Sequence, residues 1–83
     1  MIPDLCVEVV SKDDHVNMIE EKVVYFLTNG ATLVWLVYLK MRRVETYRRE
    51  DVVIVLSEDD VLDGGDVLPG FMLPVRDIFN EGI

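Results

Sequence analysis

The fold of this chain is predicted from one stretch near its beginning, Pro3-Asp4-Leu5-Cys6-Val7-Glu8-Val9-Val10-Ser11. Its β-branched content predicts a strand from Leu5 to Val10. Apolar residues occupy both odd and even positions, which is typical of a strand in a parallel sheet that is covered on both faces. Glu8 interrupts this run, and an ionised carboxylate among valines is costly unless an ammonium or a metal ion pairs with it. Glu8 is therefore the first candidate for a functional residue.

The segments that follow predict a strand–helix–strand unit. Asp13 or Asp14 can cap a helix that runs to about Asn29 and stops at Gly30. The apolar residues at helical spacing are expected to form its buried stripe: Val16, Ile19, Val23, Phe26 and Leu27. Residues 32–39 are almost entirely apolar and predict a second buried strand. Together these segments form a βαβ unit.

The rest of the chain predicts a hairpin and an irregular tail. Val44 to Arg48 and Val52 to Leu56 have the pattern of antiparallel strands at a sheet edge. Gly64-Gly65 and Pro69-Gly70 predict loops and turns in the tail, which is expected to end in one helical turn from Val75 to Phe79. The predicted fold class is therefore α/β, a single domain over residues 1–83 with a mixed sheet of about four strands and one long crossover helix.

Composition narrows the possible functions. A net charge of -8 argues against general nucleic-acid binding. Five of the eight basic residues lie between positions 40 and 49; we expect this basic turn to be a solvated surface, although it could contact phosphates locally. A single cysteine excludes an internal disulfide, and we expect a cytoplasmic location. No apolar stretch approaches the roughly 20 residues needed to cross a bilayer, so no membrane association is expected. The apolar fraction of 51% is high for a chain of 83 residues and suggests that some of these side chains face a partner.

Two charged residues are expected to meet on one side of the sheet. Side chains alternate along a strand, so Asp4 and Glu8 share a face but lie about 13 Å apart and cannot bind one ion together. Lys22 lies two turns into the helix, and helical side chains lean toward the helix N-terminus. A contact between Lys22 and Glu8 is therefore expected. It can be either a structural ion pair that fixes the helix to the strand or part of a catalytic site.

The other chemically distinctive side chains have simpler explanations. His15, near the start of the helix, is expected to be a surface residue rather than a metal ligand. Cys6 is expected to act as a small hydrophobic residue of the core. Tyr25, Phe26 and Trp35 are also expected in the core.

The stretch over residues 3–11 resembles the segment PDLVVEVLS of the Uma-type restriction endonucleases, a branch of the PD-(D/E)XK nuclease superfamily. The resemblance continues through Glu21-Lys22 and Leu33-Val34-Trp35-Leu36-Val37 to Leu62-Asp63-Gly64-Gly65-Asp66-Val67-Leu68-Pro69-Gly70-Phe71. It covers nearly the whole chain in the right order, but it matches only the C-terminal half of such a domain. It implies a restriction-endonuclease-like core and a metal-dependent hydrolysis of phosphodiester bonds in DNA.

The resemblance also implies roles for particular residues. In that superfamily, a metal such as Mg²⁺ is held by an Asp from one strand, an acid from the next strand and the backbone carbonyl just after that acid. Glu8 matches the acid and Val9 the carbonyl donor. The usual lysine would fall at Val10, and relatives in this branch supply it from the following helix, where Lys22 stands. Glu8 and Lys22 are thus the catalytic candidates, and Glu8 and Val9 are the metal ligands.

One departure from the family pattern leaves three interpretations open. The strand that carries the first metal-binding Asp has no counterpart in this sequence, so Mg²⁺ binding is expected to be weak. The chain is then a truncated DNA endonuclease, an inactive module for structure or interaction, or half of a site that a partner subunit completes. An open sheet edge is normally covered in native proteins. We therefore expect a homodimer or a partner chain at that edge.

Overall fold

The computed structural model describes residues 2–11, 15–49 and 53–80. Its elements follow the order strand, helix, five further strands and a final short helix. They are β1 (Leu5–Val10), α1 (Val16–Thr28), β2 (Leu33–Tyr38), β3 (Arg43–Arg48), β4 (Ile54–Leu56), β5 (Val61–Asp63), β6 (Met72–Pro74) and α2 (Val75–Phe79). No helix within the described ranges is long and apolar enough to cross a membrane.

The main sheet has the strand order β1-β2-β3-β4, with β1 at one edge. β1 and β2 are parallel, whereas β3 and β4 continue the sheet in antiparallel pairs. This mixed sheet of four strands, with α1 connecting the two parallel strands, confirms the predicted α/β fold class. The register places Glu8 beside Leu36 and Leu36 beside Glu45. These three residues therefore form one row across the sheet.

The helix between the parallel strands packs on the sheet through a narrower stripe than the sequence predicts. Ile19 and Val23 are buried and pack with Cys6 and Val10 of β1. Val16 was expected in this stripe but is 67% exposed at the first residue of the helix. His15 occupies the N-cap position, and the predicted caps at positions 13 and 14 lie outside the described residues.

The end of this helix follows the prediction more closely. The backbone amide of Asn29 donates to the carbonyl of Tyr25, and Gly30 has a φ of 122°, a conformation in which a side chain is strongly disfavoured. Tyr25 was predicted to be a core residue, but it is 56% exposed because it lies on the helix face that points away from the sheet. Phe26 is half-buried, and Trp35 is buried as expected.

The tail contains more regular structure than its Gly and Pro content predicts. β5 and β6 pair in an antiparallel hairpin, with Leu62 opposite Leu73. The predicted helical turn is present as α2 and begins directly after Pro74. A Cβ at Gly64 would lie 2.6 Å from the backbone oxygen of Leu68, so the chain must approach itself closely at the base of the hairpin loop. The expectation of an irregular tail is therefore wrong for these strands.

The tail covers one face of the sheet only in part. Leu62 and Val75 of the tail are buried with Trp35 and Val37 of β2. In the neighbouring strand β1, Val7 and Val9 project on the same face as these residues but remain 50% and 58% exposed. The prediction that this strand is covered on both faces is therefore wrong beyond Leu5, because the tail packs over β2, β3 and Leu5 but leaves Val7 and Val9 open.

Arg42 anchors the tail to the turn between β2 and β3. Its Nε and Nη2 atoms donate to the two carboxylate oxygens of Glu58 at 2.7 and 3.0 Å. Nη2 also donates to Asn80 Oδ1 at 2.7 Å, and the guanidinium lies 5.4 Å from the ring centroid of Phe79. Hydrogen bonding to Arg42 lowers the pKa of Glu58. Part of the basic turn is thus a structural clamp rather than a purely solvated surface.

Candidate active site

The two catalytic candidates meet as the sequence predicts. Glu8 lies on the face of β1 that packs against α1, and Lys22 reaches back along the helix toward it. The Lys22 Nζ atom lies 3.2 Å from Glu8 Oε1, with side-chain exposures of 56% and 31%. The pair is therefore neither separated on opposite sides of the sheet nor sealed in a dry core. Within the described part of the chain, no hydrogen bond to Glu8 Oε2 is seen, so this oxygen can accept a further ligand.

A cavity of about 160 Å³ opens beside this pair. Its walls include Val9 and Val10 of β1 and Met18 and Ile19 of α1, in addition to Glu8, His15 and Lys22. His15 is exposed, as expected, but its side chain makes no capping hydrogen bond and borders this cavity. The sequence carried one indication that His15 could border this cavity. A residue at the start of the crossover helix lies close to the end of the preceding parallel strand, where Glu8 is found.

The backbone of β1 places the Val9 carbonyl at the free edge of the sheet. The carbonyl oxygens of Asp4 and Val10 accept hydrogen bonds from Leu33 and Leu39 on the β2 side, at 3.0 and 3.4 Å. Backbone groups of successive residues point alternately to the two edges of a strand. The carbonyl of Val9 therefore points away from β2, on the edge that pairs with no described strand. It is free to act as a ligand next to the Glu8 cavity.

Glu45 is a second carboxylate on the same face, but it is too far away to share an ion with Glu8. Leu36 lies between the two residues in the register, and two strand spacings amount to about 10 Å. Glu45 is 9% exposed and accepts hydrogen bonds from Arg43 at 3.0 Å and from the Tyr47 hydroxyl at 2.9 Å. Its carboxylate is thus fully engaged in a local network.

That network shifts the proton affinity of two tyrosines. Burial, then the hydrogen bond to Glu45, raises the pKa of Tyr47 well above its ordinary value. Burial and the Glu45 charge also raise the pKa of Tyr38, whose ring lies 4.7 Å from the guanidinium carbon of Arg43. Both phenols are therefore neutral hydrogen-bonding groups rather than candidates for a general base. Sequence patterns did not indicate this network.

A divalent metal ion fits the described residues only in part. The available oxygen ligands at the cavity are the carboxylate of Glu8 and the carbonyl of Val9, and such oxygens suit Mg²⁺. Mg²⁺ commonly keeps several waters and binds through one or two carboxylates together with substrate phosphates. In the described ranges, no three acidic, histidine or cysteine residues cluster closely enough to form a complete protein site. Further ligands must therefore come from water, substrate or another strand.

Comparison with solved structures defines the class of fold. The chain matches a crystal structure from Anabaena variabilis, described as "a putative nuclease belonging to DUF820", with a TM-score of 0.86 and 21% sequence identity. The match covers 95% of this chain but 45% of that one, so the chain spans less than half the length of this structural neighbour. The protein therefore has a nuclease-like α/β fold, as the sequence predicts.

The sequence also identifies the family. The profile of the Uma2 family, described as "Putative restriction endonuclease", matches residues 2–76. The chain belongs to this family, which confirms the resemblance drawn from its first strand. No curated protein matches the chain.

Proposed function

We propose that Glu8, Val9 and Lys22 form part of a metal-dependent nuclease site that hydrolyses phosphodiester bonds in DNA. The observation that carries this proposal is the approach of Lys22 Nζ to within 3.2 Å of Glu8 Oε1, beside a cavity open to solvent. Membership in the restriction endonuclease family supports the reaction class. Glu8 and the Val9 carbonyl would hold Mg²⁺, and the Lys22 ammonium would orient the attacking water.

The reaction requires one bond to form and one to break. A water oxygen attacks phosphorus, and the bond to the leaving alcohol oxygen breaks. The attacking water gives up one proton to solvent and the leaving oxygen takes up one proton from solvent, so the products are an alcohol and a phosphate monoester. Lys22 favours this step by placing a positive charge next to the developing negative charge of the phosphate. Mg²⁺ held by Glu8 and the Val9 carbonyl would supply Lewis-acid stabilisation of the same charge. The apolar side chains of Met18 and Ile19 form one wall of the cavity.

Isothermal titration with Mg²⁺ and Mn²⁺, followed by plasmid cleavage, tests this proposal. The wild-type chain should bind either metal at millimolar concentration, and Glu8→Gln should abolish both binding and cleavage. Glu21→Gln is the matched control, because it removes the same charge from an exposed position that does not border the Glu8 cavity. Absence of metal binding in the wild type, or equal binding by both variants, would favour the inactive-module interpretation instead.

We also propose that another chain, most simply a second copy, pairs with the free edge of β1 and brings an additional carboxylate toward Glu8. The supporting observations are the outward-facing backbone groups of Val7 and Val9 and the exposure of their side chains. Exposed edges of this kind are natural sites for strand pairing. The split-site interpretation of the function follows from this arrangement.

A proline substitution distinguishes edge pairing from other modes of association. The amide of Val7 points away from β2, so Val7→Pro removes a donor at the free edge without removing a hydrogen bond to β2. Sedimentation equilibrium should show a dimer for the wild type and for Val7→Thr, which keeps the amide, but a monomer for Val7→Pro. A monomeric wild type at all concentrations would end the split-site proposal.

A cytoplasmic location also stays a prediction, compatible with the free buried thiol of Cys6.

A further inference from the structure

A second cavity, of about 260 Å³, lies at the ends of the two parallel strands. It adjoins the Glu8 cavity, because Val10 and Ile19 line both. Its other walls include Val16, Tyr38 and Met41, and Lys40 also lines it. Val16 and Met41 are 67% and 63% exposed, so the apolar part of this cavity is open to a ligand. The carboxyl ends of parallel strands are a common location for binding sites in α/β proteins.

The aromatic ring in this second cavity is held in place. Tyr38 is half-buried, and Arg43 lies over its ring at 4.7 Å. Arg43 is fixed in turn by its hydrogen bond to Glu45, which also accepts from Tyr47. A ring fixed in this way loses little conformational entropy when a flat ligand packs against it.

A cation lines the same cavity as the ring. Lys40 is exposed, and it forms no ion pair with a carboxylate among the described residues, unlike Lys22, Arg42, Arg43 and Arg76. Its ammonium can therefore pair with an anionic group of a ligand in this cavity. An aromatic and apolar wall beside a lysine is the combination with which proteins bind unpaired nucleotides, by stacking on the base and pairing with the phosphate.

We propose that this second cavity binds an unpaired nucleotide next to the scissile phosphodiester, with the base against Tyr38, Val16 and Met41 and a phosphate at Lys40. The inference rests on the proposed nuclease function, which places the scissile phosphodiester in the adjoining Glu8 cavity. It defines the substrate class as single-stranded DNA, or duplex DNA with an unpaired segment at the cleavage point. A fully paired base cannot enter the cavity, since its Watson–Crick partner and its stacking neighbours hold it in the helix.

Fluorescence anisotropy with a labelled ten-nucleotide oligothymidylate, in EDTA, tests this inference separately from cleavage. The wild type should bind the single strand more tightly than a duplex of the same length. Met41→Glu places a carboxylate at the exposed rim and should weaken binding by roughly tenfold, the range expected for loss of one stacked base. Affinity falls as salt rises, so the slope of log affinity against log salt is negative. Lys40→Met should make this slope less steep by about 0.7, the value for one phosphate contact with a single strand.

Arg76→Met is the matched control for charge, because Arg76 pairs with Asp59 in the tail and does not border either cavity. It should leave both affinity and salt slope at the wild-type values. Tighter binding to duplex, or identical binding by the wild type, Lys40→Met and Met41→Glu, would overturn the inference even if the protein cleaves DNA. Single-strand binding that depends on Lys40 and Met41 in a protein that cleaves nothing would support the cavity assignment while the proposed reaction fails.

Discussion

Neutralising Glu8 should barely change the stability of the protein. At a separation of 3.2 Å, the attraction between Lys22 Nζ and Glu8 Oε1 is about 1.3 kcal/mol in a dielectric of about 80. With exposures of 56% and 31%, both side chains are in the regime of surface ion pairs, whose measured contributions are about 0.2–1 kcal/mol after ordering costs. A pair that holds a helix to a strand from a buried position would instead cost about 3–5 kcal/mol when one partner is removed.

Urea denaturation of the wild type, Glu8→Gln, Lys22→Met and the double variant separates these two cases. We expect each single variant to lose less than about 1 kcal/mol of unfolding free energy, with a coupling energy in the same range. Asp59→Asn serves as the matched control, since it breaks another exposed ion pair, with Arg76, at 2.8 Å. Its effect should be similar in size.

A loss of about 3 kcal/mol or more for Glu8→Gln would refute this reasoning, because it would show that the pair is buried and structural. The predicted combination is a small loss of stability together with a complete loss of metal binding. Only that combination assigns the two residues to a site rather than to the packing of α1 on β1.

Three further predictions concern the core and its titrating groups. Leu36 is 1% exposed, so Leu36→Ala should lower the unfolding free energy by about 2–5 kcal/mol in urea denaturation, and a loss below about 1 kcal/mol would contradict the assigned packing. The raised pKa of Tyr47 means that the native state keeps the phenol proton above about pH 10, where an ordinary tyrosine loses it, so this contribution to stability is present below pH 10 and is lost as the pH rises further. Stability measured from pH 8 to 11 should therefore fall less steeply in Tyr47→Phe, which will itself be less stable at neutral pH because Glu45 loses a donor. Burial, and secondarily the Glu8 charge, raises the pKa of Cys6, so its reaction with a disulfide reagent should be much slower in the native than in the urea-unfolded protein; equal rates would show that the thiol is accessible.

The first half of the fold could be predicted because its signals are local. The valine-rich strand of residues 5–10, the helical spacing of Ile19 and Val23 and the apolar run of residues 33–38 each identify one element. The contact between Lys22 and Glu8 followed from the direction in which helical side chains lean, which depends only on helix geometry.

The features that the sequence did not predict depend on distant partners. β5 and β6 are each three residues long, too short to show an alternating pattern. The glycines and prolines between them indicate turns more strongly than these few residues indicate strands. The exposure of Val7 and Val9 depends on how far the tail extends over the sheet, and residue type does not reveal this. The clamp around Arg42 joins residues up to 38 positions apart, beyond the range of any periodic pattern.

Two requirements conflict at Arg42: its backbone conformation favours glycine, but its side chain anchors the tail. Its φ of 53° lies in the left-handed region, where glycine is the residue with the least strain. Arg42→Gly would thus relax the backbone but remove the anchor of Glu58 and Asn80, whereas most other side chains would keep the strain and supply no anchor. This position should therefore tolerate exchange poorly, and a change there would free the end of α2 from the turn, while the buried contacts of Leu62 and Val75 keep the tail on the sheet.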